Sequence, residues 1–190
     1  MTLPVTTVVL AGGLGTRMGG NKGLQLLRGR ALIDWVLDAV RDSDELMINA
    51  NDQAEQYALR GFRIIADRFP DWPGPLAGVH AALFYARHDW VATVPCDAPL
   101  LPHDVIARLC SAVPAAPQAA IALADGQRQP TIALYRRDLL PTLEAFLHSG
   151  GRKMHDWHAT LRVSEVVFDD AAQFININTP HELLAANGPR

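Results

Sequence analysis

The residues richest in chemistry lie between positions 10 and 22: Leu10-Ala11-Gly12-Gly13-Leu14-Gly15-Thr16-Arg17-Met18-Gly19-Gly20-Asn21-Lys22. Five glycines and two cations share this stretch. A glycine has no Cβ, so its backbone N–H can approach a phosphate closely, and successive N–H groups form an anion-binding concavity. Arg17 would add a planar fork of donors and Lys22 a compact point charge, both suited to neutralising a triphosphate. A simple chain reversal is the rival account of any glycine cluster, but five glycines with two cations exceed what a turn requires. Two familiar phosphate motifs do not fit. No Gly-Lys-Ser/Thr occurs, so this is not a Walker-type loop, and Gly13-x-Gly15 lacks the third glycine of a dinucleotide fingerprint at the right offset.

Such a loop must be held by rigid elements, and the surrounding pattern supplies them. Thr6 to Leu10 is a β-branched, apolar run that reads as a buried strand feeding the loop. Leu32, Ile33, Val36, Leu37 and Val40 recur at helical spacing. Leu46 to Ala50 and Arg63 to Ala66 read as strands, with a short helix from Ala54 to Leu59 stopped by Gly61. Val79 to Arg87 reads as a helix and Trp90 to Val94 as a strand, with Pro102 placed where another helix could begin. Ala119 to Ala124 and Thr131 to Tyr135 read as strands joined by the polar turn Asp125-Gly126-Gln127-Arg128. Leu139 to Leu147 and Met154 to Leu161 look helical, and Val163 to Phe168 extended. Thr179-Pro180-His181-Glu182 has the form of a capping box opening a last helix.

Alternating strands and helices imply βαβ units and a parallel sheet, and in such sheets ligands bind beyond the carboxyl ends of the strands. Gly12-Gly13, Asn49-Ala50-Asn51, Asp67 and Cys96-Asp97 all fall at those ends. The 190 residues suffice for one domain spanning 1–190, and 49% hydrophobic with 19% charged residues is an ordinary globular balance. A formal charge of −3 argues against a nucleic-acid binder, though not against a nucleotide pocket built from a few local cations. Two cysteines without metal spacing, no apolar run of membrane length and no charged, apolar leader lead us to expect a cytoplasmic protein with no membrane partner.

The signature Leu-Ala-Gly-Gly, then Arg-Met-Gly-Gly, then Lys resembles that of the Rossmann-like nucleotidyltransferases, and within them the molybdenum cofactor guanylyltransferases. Pro73-Gly74-Pro75-Leu76-Ala77-Gly78, Pro95-Cys96-Asp97-x-Pro99, Gln129-Pro130-Thr131-Ile132-Ala133-Leu134 and Asn176-Ile177-Asn178-Thr179-Pro180 are similar to further blocks of that family, in the same order. The resemblance implies an α/β, Rossmann-like three-layer sandwich with a mostly parallel central sheet. It implies transfer of GMP from GTP to the phosphate of molybdopterin, with cofactor-delivery and acceptor enzymes as further partners. Leu10, Ala11 and Gly12 would then line guanine and ribose, Gly13 would sit against the phosphates, and Lys22 would neutralise them, with Arg17 beside it. Asn51 and Asp67 would contact the base and ribose side, Asp97 would hold Mg²⁺, and Asn176 and Asn178 would lie on the pterin side. One carboxylate plus phosphate oxygens and water is the usual setting for Mg²⁺.

Two departures from the family pattern stand out: Asn21 occupies a place where relatives carry an acid, and the loop is one residue shorter. A cytidylyltransferase acting on the same pterin, a sugar-1-phosphate nucleotidyltransferase and a non-catalytic nucleotide or pterin carrier are the competing readings. The carrier has no need of a metal carboxylate. Other polar residues are assigned no site: His155 and His158 read as a solvated helix face, Cys96 as a small buried hydrophobe, and Trp35 and Trp90 as core.

Overall fold

The computed structural model describes residues 3–12, 21–69, 74–115 and 117–188. Gly13 and Arg17, to which phosphate roles were assigned above, lie outside them. Along the chain come β1 (Val5–Leu10), β2 (Leu26–Leu27), β3 (Arg30–Ala31), α1 (Leu32–Ala39), β4 (Glu45–Asn49), α2 (Ala54–Ala58), β5 (Arg63–Ile65) and α3 (Pro75–Tyr85). They continue with β6 (Trp90–Pro95), α4 (Val105–Ser111), β7 (Ala119–Ala124), β8 (Gln127–Arg136), α5 (Leu140–His148), α6 (Met154–His158), β9 (Val163–Phe168) and α7 (Pro180–Asn187).

Seven strands form one sheet in the order β5-β4-β1-β6-β8-β7-β9, and β2 and β3 form a small separate hairpin. Within the large sheet β8 runs antiparallel to both neighbours, whereas the remaining pairings are parallel. The strands of this sheet are apolar on both faces, and their period of two divides the core. Val5 and Val9 of β1, with Ala92 and Val94 of β6, meet Ile33 and Val36 of α1 and Val105 and Leu109 of α4. Val8 and Val91 face the other way, onto Leu76, Val79 and Leu83 of α3 and Leu143 and Leu147 of α5. The result is three layers. A third, smaller cluster joins Leu27 and Leu32 to Ile177 and seats the amino-terminal approach to α7 against the β2–β3 hairpin. No helix among the described residues is long and apolar enough to cross a membrane.

Several boundaries differ from the sequence reading, each for a local reason. The helix expected from Val79 starts at Pro75, because proline at the first helical position fits the missing N–H and Gly74 supplies a positive φ of 99° before it. The expected four-residue turn after β7 is shorter: Asp125 and Gly126 alone carry positive φ (49° and 66°), the pattern of a two-residue hairpin turn, and Gln127 and Arg128 already pair in β8. The helix near Pro102 starts at Val105, and α6 ends at His158 instead of running to Leu161. Trp35 and Trp90 are only half-buried; among the described residues the fully buried tryptophan is Trp157.

The expectation of a solvated face for His155 and His158 is corrected for His158. That imidazole is 2% exposed, and its Nε2 lies 2.8 Å from the hydroxyl of Tyr135. Burial, followed by the nearby charges of Arg128 and His155, lowers its pKa from 6.5 to about 4. The folded protein therefore keeps this ring neutral at pH values where the unfolded chain would protonate it. Stability should fall as pH drops from about 6.5 to about 4, with a contribution of about 3 kcal/mol from this one group. Urea unfolding at pH 7 and pH 4.5 measures it. His158→Gln, which keeps a polar group for Tyr135, is expected to show a distinctly shallower loss than the wild type across that window.

Candidate active site

The carboxyl ends of β1, β4, β5 and β6 are tied together beyond the last strand residues. Ala11 N–H donates to the Asn49 carbonyl (2.8 Å), Ala50 N–H to Ile65 (2.9 Å), and Cys96 N–H to Leu10 (3.1 Å). Residues 10–12, 49–51, 67 and 96–97 are thereby delivered to one edge, as the topology of a parallel sheet requires.

At the centre of this edge the Lys22 ammonium pairs with the Asp97 carboxylate and also donates to the Asn178 side-chain oxygen. These side chains come from the loop after β1, the end of β6 and the segment before α7. Lys22 is placed by a single 3-10 turn, Lys22–Leu24, whose preceding residue Asn21 adopts the left-handed region at φ 45°, ψ 58°. Asparagine tolerates that conformation better than most residues, which gives the departure at position 21 a conformational rationale. The turn rests on Gly23: a Cβ there would lie 2.9 Å from the Tyr57 hydroxyl and 3.2 Å from the Cys96 sulfur. Tyr57 and Cys96 form the buried floor beneath Lys22. Burial first, and the neighbouring Asp97 second, push the Cys96 thiol up to about 12, in keeping with its packing against the Gly23 turn.

A second group sits over β4 and β5. Asp67 accepts from Asn49 Nδ2 on one carboxylate oxygen (2.9 Å) and from Asn51 Nδ2 on the other (2.7 Å). Its own N–H donates to Asn51 Oδ1 (2.9 Å), and Asn51 Nδ2 also reaches the Gly12 carbonyl (3.3 Å). Asn51 and Asp67, paired above as base- and ribose-side residues, are thus bonded to each other and to the start of the glycine loop. Asn49, read from sequence as a strand end, is 2% exposed and also donates to the Ile65 carbonyl (3.3 Å), so it fixes Asp67 from beneath.

Gly78 explains how α3 approaches so closely: a Cβ on it would stand 2.6 Å from Asn49 Oδ1 and 3.0 Å from Leu10 Cδ2. Alanine would raise helix propensity by about 1 kcal/mol, but overpacking a bonded, buried amide costs about 1–3 kcal/mol. Gly78→Ala is therefore expected to lower the thermal midpoint and to weaken nucleotide binding several-fold, read by calorimetry; a stabilised variant with unchanged binding would contradict it.

Asn176 and Asn178 flank Ile177, whose N–H donates to the Asp97 carbonyl (2.9 Å). This bond brings the carboxyl-terminal segment to the site. Asn176 buries a side-chain oxygen with no hydrogen-bond partner among the described residues. The available donors, Asp97 and these two amides, are all oxygens, and no group of three His, Cys, Asp or Glu among the described residues could cage an ion by itself. That composition suits a hard divalent cation held mainly by substrate phosphates and water, and does not suit zinc.

The strand pattern placed Gly12, Asn51, Asp67 and Asp97 at the strand ends, and the resemblance added Lys22, Asn176 and Asn178; the structure joins Asn51 to Asp67 and Gly12, and Lys22 to Asp97 and Asn178. It does not separate Asn178 from Lys22, as the division into nucleotide and pterin sides implied. Asn49, Tyr57, Gly23 and Gly78 went unassigned. For the glycines the available signal was position, each lying beside a polar motif; for Asn49 and Tyr57 only the packing reveals the role.

Comparison with known proteins bears on what this edge does. A family model described as the MobA-like NTP transferase domain matches residues 7–163. A molybdenum cofactor guanylyltransferase from Vibrio cholerae is 45% identical over 181 residues, covering 93% of this chain and 88% of its own length. One from Cupriavidus taiwanensis is 44% identical over 189 residues, covering 95% of each. Among solved structures, the molybdopterin-guanine dinucleotide biosynthesis protein A of Archaeoglobus fulgidus superimposes with a TM-score of 0.82 at 30% identity over 96% of each chain. With more than half its length matched by the family model and relatives well above 30% identity, this chain belongs to the MobA-like NTP transferase family.

Proposed function

We propose that this protein transfers GMP from GTP to the terminal phosphate of molybdopterin, forming the guanine dinucleotide cofactor and releasing pyrophosphate. The observation that carries this reading is the junction at Lys22, where a cation able to face a triphosphate meets a carboxylate able to hold its counter-ion. The names carried by relatives at 45% and 44% identity point to the same reaction.

In this reading a phosphate oxygen of the pterin forms a bond to the α-phosphorus of GTP while the bond from that phosphorus to the β-bridging oxygen breaks, and the leaving pyrophosphate takes the electron pair. Lys22 neutralises charge on the phosphates, and Gly12 lets guanine and ribose approach the backbone closely. Asn51 and Asp67, locked together by hydrogen bonds, present a fixed polar surface to base and ribose. Asn176 and Asn178 face the acceptor. Mg²⁺ is the divalent ion we assign to Asp97, where it would polarise the α-phosphate and offset the charge of the leaving group. Positioning and charge suffice, since phosphoryl chemistry asks for little covalent participation by protein groups. We place the reaction in the cytoplasm, which the two free thiols Cys96 and Cys110 fit.

The test is pyrophosphate release and product mass with molybdopterin and each of GTP, CTP, ATP and UTP. The expected result is turnover with GTP far above the others and a product heavier by one GMP. Preference for CTP would overturn the guanylyl assignment, and no pyrophosphate from any nucleotide would favour a carrier.

A further inference from the structure

An ammonium group has three N–H donors. Two of those on Lys22 are taken, one by Asp97 and one by Asn178, and the third has no acceptor among the described residues. The lysine is held from two sides with one donor open. One of those holds is itself held. Asn178 is exposed and would be mobile on its own, yet its N–H donates to Glu182 Oε2 (2.6 Å), and the same oxygen accepts from Thr179 N–H (3.1 Å). The other half of the capping box runs the opposite way, from Glu182 N–H to Thr179 Oγ1 (3.1 Å). Glu182 therefore does more than cap α7: it fixes the backbone of the residue whose side chain holds Lys22.

We infer that Glu182 is a positioning residue for Lys22, acting through Asn178 across about 160 residues of sequence. This rests on the phosphate-facing reading of Lys22. A lysine side chain gives up considerable rotamer freedom when it binds, so an anchor that pre-sets its ammonium strengthens phosphate binding. The two anchors differ in kind. Asp97 is the carboxylate that a divalent ion would share, whereas Asn178 is neutral and remains with the lysine. The Glu182–Asn178 hold should thus matter more when the cation is present than when it is chelated.

Calorimetric titration of GTP into the full chain, in Mg²⁺ and in EDTA, tests this with Glu182→Ala, Glu182→Gln and Thr179→Ala. Thr179→Ala breaks the other half of the capping box and should lower the thermal midpoint about as much as Glu182→Ala, so it controls for loss of the cap. Glu182→Ala is expected to weaken GTP binding roughly fivefold in Mg²⁺ and clearly less in EDTA. Glu182→Gln, which keeps an accepting oxygen, should restore most of the affinity, and Thr179→Ala should stay within about twofold of the wild type. Equal weakening by Glu182→Ala and Thr179→Ala, no weakening by Glu182→Ala, or a loss independent of Mg²⁺ would each overturn the inference. A wild-type chain that bound no GTP would instead overturn the reading of Lys22 on which it rests.

Discussion

Asp97→Ala is expected to reduce turnover by roughly 10³-fold or more, measured as pyrophosphate release from GTP and molybdopterin, with little change in thermal midpoint. The two halves of that expectation have separate causes. The loss follows from removing the carboxylate that pairs with Lys22, whose other partner among the described residues, Asn178, is a neutral amide. A divalent ion held by Asp97 would lose its protein ligand, and much of the several kcal/mol of charge stabilisation that it would supply to a phosphoryl group would be forfeited. The preserved fold follows from the backbone: the tie between Ile177 N–H and position 97 runs through the carbonyl, and Cys96 N–H is bonded to Leu10. Lys22 loses a partner but keeps Asn178 and partial exposure to water, so no charge is left stranded in the core. Wild-type turnover by this variant would remove Asp97 from the reaction.

Lys22→Met should cost roughly 10²-fold in kcat/KM for GTP, with a weaker nucleotide affinity as well as a slower step. Methionine keeps an unbranched apolar side chain of similar length without the charge, so the loss isolates the ammonium. Lys22→Arg is not expected to rescue, because the wider planar fork cannot occupy the point between Asp97 and Asn178 that a compact ammonium fills. The double variant with Asp97→Ala should fall well short of the product of the two losses, since the two side chains are paired with each other and the proposed reaction has both act on the same phosphates. Full additivity in kcat would mean that Lys22 and Asp97 act independently, contrary to the ion pair between them.

How much of this was legible in the sequence depends on the range over which each feature is determined. The strands and the edge they create follow from local pattern: a β-branched run before the glycines gives β1, and the Thr-Pro-x-Glu order gives the capped start of α7. Positions 49, 51, 67 and 97 could be set on one edge because each follows a strand in a parallel alternation. The bonds among them could not be read. That Asn49 and Asn51 grip opposite oxygens of Asp67 depends on the side-by-side registry of β4 and β5, and nothing in either segment alone encodes it. The contact of Lys22 with Asn178 joins segments at opposite ends of the chain through the small cluster of Leu27, Leu32 and Ile177. His158 was misplaced for a related reason: a five-residue helix carries too little periodicity to reveal its buried face, and only the approach of Tyr135 shows it.

The most direct measurement is a crystal structure of the protein with GTP and Mg²⁺. The expected result is a triphosphate against the ammonium of Lys22, an ion at Asp97, and guanine and ribose on the side of Gly12, Asn51 and Asp67. Nucleotide density elsewhere on the molecule, or phosphates directed away from Lys22 and Asp97, would contradict the assignment of this edge as the active site.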